Sequence, residues 1–278
     1  VPLEFRCFDR TGTVLEAGKK LFAALCAEES GGVPWAVKTI RGEILRRGAL
    51  SPMVRGKPAA LTAAVNVYNE IFWDLSPMDT QGLARLAAGS GRLLSSLSDE
   101  NGMILALEPG IPRSGEFITL LREALAAEGR RPLSPCPHQG PCPFPGPRQA
   151  KWCHFAFDTQ DAPEALRRLS AAAGLPKDRA VTSFLLAGKP REAAAAAETA
   201  KTAIRIISDP FPTGGGFWGR YGCGAGGMVL VRGTKTAADE EVSGTLGFYE
   251  SAGKRDGKTG ADVFNLTANT TGKGKSEE

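Results

Sequence analysis

Three cysteines lie within eighteen residues of one another, in a stretch that also holds seven of the chain's nineteen prolines (Pro132, Pro135, Pro137, Pro141, Pro143, Pro145 and Pro147). The segment reads Cys136-Pro-His-Gln-Gly-Pro-Cys142, then, after ten residues, Cys153 within Trp152-Cys153-His154. A fourth thiol, Cys223, follows after sixty-nine intervening residues in Tyr221-Gly-Cys-Gly224. A loop so poor in apolar side chains cannot hold its shape by burial, and a thiolate-bound metal centre is the natural alternative. Four thiolates suit tetrahedral zinc and a cubane iron–sulfur cluster equally. Structural zinc sites draw on short Cys-x2–4-Cys knuckles, and none is present here. A cluster is wider than one ion and accepts ligands from longer loops. Cys-Pro steps such as Cys136-Pro137 and Cys142-Pro143 also stiffen a loop without adding an amide that needs a partner. The spacing therefore favours a cluster over zinc. His138 and His154, the chain's only histidines, flank the same cysteines and leave Cys3His or Cys2His2 zinc open. Free or disulfide-linked thiols are the plain alternative, against which six cysteines in 278 residues without a secretory leader argue mildly.

Length and composition allow a full core: 278 residues, 42% of them hydrophobic, make one large domain or a domain with an appendage. No apolar run approaches the ~18 residues of a membrane span, so no membrane partner is expected. The net charge of +4 and pI near 8.8 permit an anionic partner such as RNA without requiring one.

Patterning along the chain alternates strand and helix. Leu3 to Phe8 reads as a buried strand ending at Asp9, and residues 12 to 27 as an amphipathic helix with Val14, Leu15, Leu21, Phe22 and Leu25 on one face. Ala59 to Asn69 is a strand candidate, residues 78 to 97 a helix, Met103 to Leu107 a strand, and Ser114 to Ala127 a helix. After the cysteines, Asp161 to Ala173 reads as a helix and Ala180 to Leu186 as a strand. The alanine-rich residues 191 to 203 suit an exposed helix or an insertion, and Ile204 to Ile207, Phe217 to Tyr221 and Met228 to Val231 are late strands. From about Ala252 the Gly/Lys/Thr-rich composition predicts disorder. Such alternation predicts a parallel α/β sheet with crossover helices. In that setting Asp9 is placed to take ribose hydroxyls, although no Gly-x-Gly turn precedes it. Gly222 to Gly227 has the glycines of a phosphate loop but leads into a strand, not a helix.

Several blocks then resemble the Rsm22 family, over about residues 1 to 235: Asn66-Val-Tyr-Asn69-Glu70, Ile104-Leu-Ala-Leu-Glu108-Pro109-Gly110, Leu121-Arg122, Pro135-Cys136-Pro137-His138 with Cys142-Pro143, and Trp152-Cys153-His154-Phe155. The resemblance implies a methyltransferase-like factor of the small ribosomal subunit, mitochondrial in eukaryotes and cytoplasmic in bacteria. It implies a class I, Rossmann-like methyltransferase sheet carrying an inserted Cys-rich metal-binding segment. It also places a 4Fe–4S cluster, with zinc as the alternative, at Cys136, Cys142, Cys153 and Cys223. The expected layout is a Rossmann-like region over 1–130, the metal-binding segment over 131–160, strands completing the sheet and supplying the fourth cysteine over 161–251, and a disordered tail over 252–278.

Two departures qualify the resemblance. The family's glycine-rich first strand and loop would lie upstream of Val1, so the chain reads as a fragment or as a member without its cofactor loop. Ala156-Phe-Asp-Thr-Gln-Asp-Ala-Pro163 stands where basic residues usually follow the Trp-Cys-His-Phe block, which argues against an rRNA grip by that segment. If S-adenosylmethionine binds, the expected contacts are Asp9, Asn69 and Glu70. No catalytic residue can be assigned, and Glu70 and Glu108 are the best acceptor or cofactor candidates, with a helix cap or a surface acid as the plain reading. Cys7 and Cys26 read as core thiols. The expected function is a cluster-carrying factor that binds the small subunit or its rRNA, as a monomer off the ribosome. An active S-adenosylmethionine-dependent rRNA methyltransferase is the alternative.

Overall fold

The computed structural model describes residues 3–29, 35–44, 56–73, 75–76, 79–144, 152–175, 178–189, 201–241 and 243–266. The chain divides into two compact units, Val1–Ala59 and Ala60–Glu278.

The first unit is a strand–helix–strand repeat. β1 (Leu3–Asp9) and β2 (Trp35–Arg41) pair in parallel, Leu3 opposite Trp35 and Asp9 opposite Arg41, with α1 (Gly12–Glu29) between them in sequence. Phe5 packs on Phe22 and Trp35, with ring centroids 4.8 and 5.7 Å away. On the expected face of α1, Leu15 is buried, whereas Val14, Leu21 and Leu25 are exposed.

The second unit opens with β3 (Ala59–Val65), α2 (Tyr68–Phe72), α3 (Thr80–Leu97), β4 (Ser98–Pro109), α4 (Pro112–Ala127) and β5 (Arg131–Ser134). After the Cys-rich loop come β6 (Phe155–Asp158), α5 (Glu164–Ala172) and β7 (Arg179–Gly188). The strands run β3-β4-β7-β5, with β6 also on β7. Asp79 caps α3, its side chain accepting from the Gly82 amide at 2.6 Å. α3 packs closely on α4 because Gly91 has no Cβ, which would lie 2.9 Å from that of Ala124. Leu83, Ile104, Phe117, Leu121 and Leu185 are wholly enclosed between the helices and the sheet.

A closed barrel follows: β8 (Lys201–Ile206), β9 (Phe211–Gly214), β10 (Phe217–Gly224), β11 (Gly227–Gly233), α6 (Lys235–Glu240), β12 (Leu246–Arg255) and β13 (Asp262–Leu266). The ring runs β8-β10-β11-β13-β12 and returns to β8, with β9 as an extra strand on β10. β11 and β13 are parallel and the other ring pairs antiparallel. Ile204, Ile206, Val229, Val231, Phe264 and Leu266 fill the interior, with Ala237 and Ala238 of α6 against them. The buried Arg220 donates from Nε to the Ala238 carbonyl and from Nη1 to that of Ser208, at 2.6 and 2.7 Å. Asp209, Glu241 and Asp239 also act on its charge, opposing the downward pull of burial.

This architecture overturns the expected Rossmann-like methyltransferase sheet. β4, β5 and β6 all pair with β7 antiparallel, and the C-terminal strands close their own barrel instead of completing the earlier sheet. The physical reason is the connections. From residue 201 successive strands are mostly joined by short Gly-bearing turns, among them Gly215-Gly216 at φ 61° and 77°, and such turns reverse the chain where a helix would carry it across. Lys201 to Ala203, the end of the stretch expected as an exposed helix or an insertion, open β8, while the rest of that stretch lies outside the described residues. The tail expected from Ala252 instead completes β12 and forms β13, whose Val263, Phe264 and Leu266 are buried. Residues 267–278 lie outside the described residues.

Candidate metal centre

The Cys-rich loop is held from two sides. On one side α4 presents Arg122, only 4% exposed, whose Nη2 donates to the carbonyls of Gly140 and His138. Thr119, one turn earlier, sets its hydroxyl 3.7 Å from the Cys142 sulfur. On the other side the barrel presents Arg205 of β8, donating from Nε to the Pro135 carbonyl at 2.9 Å and from Nη1 to the Gly244 carbonyl at 2.7 Å. Arg205 pairs in register with Cys223 of β10, which puts the two side chains on the same face of the barrel wall.

The E-P-G and W-C-H-F blocks of the sequence form one packed unit. The Trp152 indole donates to the Gly110 carbonyl at 2.9 Å and lies against Gly115, where a Cβ would come within 2.7 Å of it. The Gly110 amide donates to the Val181 carbonyl, and Ser183 Oγ donates to the Cys153 carbonyl at 2.8 Å. These contacts hold Cys153 at the end of the sheet.

Cys136, Cys142, Cys153 and Cys223 consequently line one cavity, together with His138, Arg122, Arg205, Phe144, Phe155 and Ile207. The empty space between these atoms is about 310 Å3, part of it open to solvent. His138 Nε2 stands 3.2 Å from the Cys223 sulfur, and its buried Nδ1 has no hydrogen-bond partner among the described residues. Burial pushes the Cys223 thiol up to about 12 and the Cys153 thiol well above the ordinary range, the neighbouring sulfurs adding to both shifts. Burial also raises Cys136, with Arg122 pulling the other way. Burial lowers His138, and the Arg122 charge lowers it further. Among the described residues no group of three or more His, Cys, Asp or Glu side chains is arranged to hold a single metal ion. His154 stacks on Trp152, its ring centroid 4.7 Å away.

The other sequence candidates lie elsewhere. Asp9 ends β1 in the first unit, where its Oδ1 accepts from the Thr11 amide at 2.6 Å in a tight local turn. Asn69 and Glu70 belong to α2 in the second unit. The wholly buried Glu108 caps that helix: Oε1 accepts from the Val67 and Tyr68 amides and Oε2 from Asn69, at 3.1, 2.8 and 3.0 Å. Burial pushes its carboxyl up while the three amides pull it down. Helix capping is therefore the role its contacts support. Cys26 accepts from the Trp35 amide, and Cys7 sits half-buried on β1. Sequence reasoning missed Arg122 and Arg205 as parts of the centre. Their positions are visible only once α4 and β8 face the same loop.

The described geometry defines a protein with a thiol-lined centre between an α/β layer and a β-barrel. The chain matches the family model "Mitochondrial small ribosomal subunit Rsm22" over residues 61–215, more than half of its length, and it belongs to that family. The match spans β3 to β9 and includes Cys136, Cys142 and Cys153. No curated protein matches the chain. No described helix is long and apolar enough to cross a membrane.

Proposed function

We propose that this chain is a cluster-carrying factor of the small ribosomal subunit, with a 4Fe–4S cluster held by Cys136, Cys142, Cys153 and Cys223. The observation that carries the reading is the convergence of four thiols, from positions up to 87 apart in sequence, on one cavity in a small-subunit family member. The donor set fits the group. Four thiols suit a cubane. A cluster on four thiolates carries net negative charge, which Arg122 and Arg205 offset from opposite walls. His138 Nε2 reaches a cluster-bearing sulfur, a hydrogen bond of the kind that tunes such centres. When bound, the cluster supplies cross-linking of three segments and a redox-sensitive group.

What the residues do is structural. Arg122 orients the loop around His138 and Gly140, Arg205 ties Pro135 to the barrel, and Cys223 joins the barrel to the loop. The cluster then acts as the staple that fixes the barrel on the α/β layer, and the assembled surface binds the small subunit and its rRNA as a monomer. In a eukaryote the reading places it in the mitochondrion, in a bacterium in the cytoplasm. No described side chain brings an observation to the second reading, methyl transfer from S-adenosylmethionine. Anaerobic purification followed by iron and sulfide analysis, with co-sedimentation on small subunits before and after cluster loss, tests the proposal. Cluster-dependent co-sedimentation supports it, and co-sedimentation indifferent to the cluster refutes the staple.

A further inference from the structure

The barrel carries a second surface. Around its ring, strand order is first (β8), second (β10), third (β11), fifth (β13) and fourth (β12), with α6 between the third and fourth and the third parallel to the fifth. That is the arrangement of OB barrels, in which the second and third strands present a face to single-stranded nucleic acid. Such faces combine aromatic platforms for bases with cations for the backbone.

β10 and β11 supply both. Trp218, Val229 and Val231 point into the barrel core, so by alternation Tyr221 and Arg232 point away from it. Tyr221 there packs against the cluster of Cys223, Phe155 and Ile207, and Phe217, beyond a register shift at Phe217/Trp218, is left exposed. Phe217 is 49% exposed, and the Arg232 guanidinium sits over its ring at 4.5 Å. Tyr221, about 13 Å further along the strand, stacks on Phe211 of β9 with centroids 4.6 Å apart. Arg232 Nη2 donates to the Gly214 carbonyl at 3.0 Å, which fixes the guanidinium plane. Its Nε and the nearby Thr213 hydroxyl, both shielded, have no hydrogen-bond partner among the described residues. The five ring strands are each paired on both sides, and β9 adds to β10 beside Phe217. An exposed ring under a guanidinium is chemistry for a stacked base and its phosphate.

We propose that the outer face of β10 and β11 around Phe217 and Arg232 binds single-stranded RNA. A base stacks on Phe217, and Arg232 takes the adjoining phosphate. The choice of RNA over DNA rests on the small-subunit reading, while the face itself rests on the barrel.

The test is fluorescence anisotropy of the full chain with a short labelled oligouridine, against the same strand in duplex. Single-strand binding is expected to exceed duplex binding. Phe217→Ala should weaken it by about tenfold, and Phe217→Trp, which keeps a platform, should retain it. Arg232→Ala should weaken it and shrink the salt-dependence slope by about 0.7. Phe248→Ala, which removes a 63% exposed ring on β12, should change nothing. No binding by the parent, equal affinity for the duplex, or indifference to both Phe217→Ala and Arg232→Ala overturns the proposal. Iron content measured on the same samples separates this result from failure of the cluster reading.

Discussion

The Nε2 atom of His138 lies 3.2 Å from the sulfur of Cys223, joining the proline-rich loop to the barrel across 85 residues of sequence. The contact places the only buried histidine beside the most distant of the four thiols. It turns a loop without a core of its own into the joint between two layers.

Loss of one ligand should release that joint. Cys142→Ser is expected to lose the metal and open residues 134 to 155 to protease, while far-UV dichroism reports intact helices and strands. Equal protease resistance in variant and parent would contradict this.

Arg205 should matter to stability as well as to the centre, because its guanidinium bridges Pro135 and Gly244. Arg205→Ala is expected to lower stability by about 2 kcal/mol, the scale of hydrogen bonds made by a charged group. Arg205→Lys should recover less than half, since an ammonium cannot reproduce the planar fork. Denaturant titration of the three forms reads the difference.

The capping role of Glu108 predicts a loss from a nearly isosteric change. Glu108→Gln replaces one acceptor oxygen with an NH2 facing the amides of α2, and should cost about 1–3 kcal/mol in a thermal or denaturant melt. A neutral outcome would show that one oxygen satisfies the helix start.

How much of this was legible in the sequence follows from which interactions are local. Periodicity located β4 and α4, because Ile104, Phe117 and Leu121 report burial directly in their spacing. The four cysteines stood out as thiols in and beyond a proline-rich loop, but the apolar cluster that Cys142, Cys153 and Cys223 share with Phe144, Phe155 and Ile207 was not visible in the loop's own composition. Pairing direction was not, since β7 reads as the same apolar run whether it lies parallel or antiparallel to β4. The barrel was hidden for a related reason. β13 is five residues in a Gly/Lys/Thr-rich stretch, and its burial comes from β11 and β12, not from its own pattern. Arg122 and Arg205, separated by 83 positions, carry no joint signal until the fold brings them to one cavity.

The proximity of Trp152 to Gly115 makes a sharper stability prediction. A Cβ at Gly115 would lie 2.7 Å from the indole, on a rigid ring hydrogen-bonded to Gly110. Gly115→Ala should displace Trp152 and lower stability by about 1–3 kcal/mol, with a change in tryptophan fluorescence marking the site.

Metal and sulfide analysis of the anaerobically purified chain, beside Cys223→Ser, tests the central claim most directly. About four iron and four sulfide per chain in the parent, and a marked loss of both in Cys223→Ser, are expected. One zinc per chain without iron, or iron retained in full by Cys223→Ser, would contradict the four-thiol cluster.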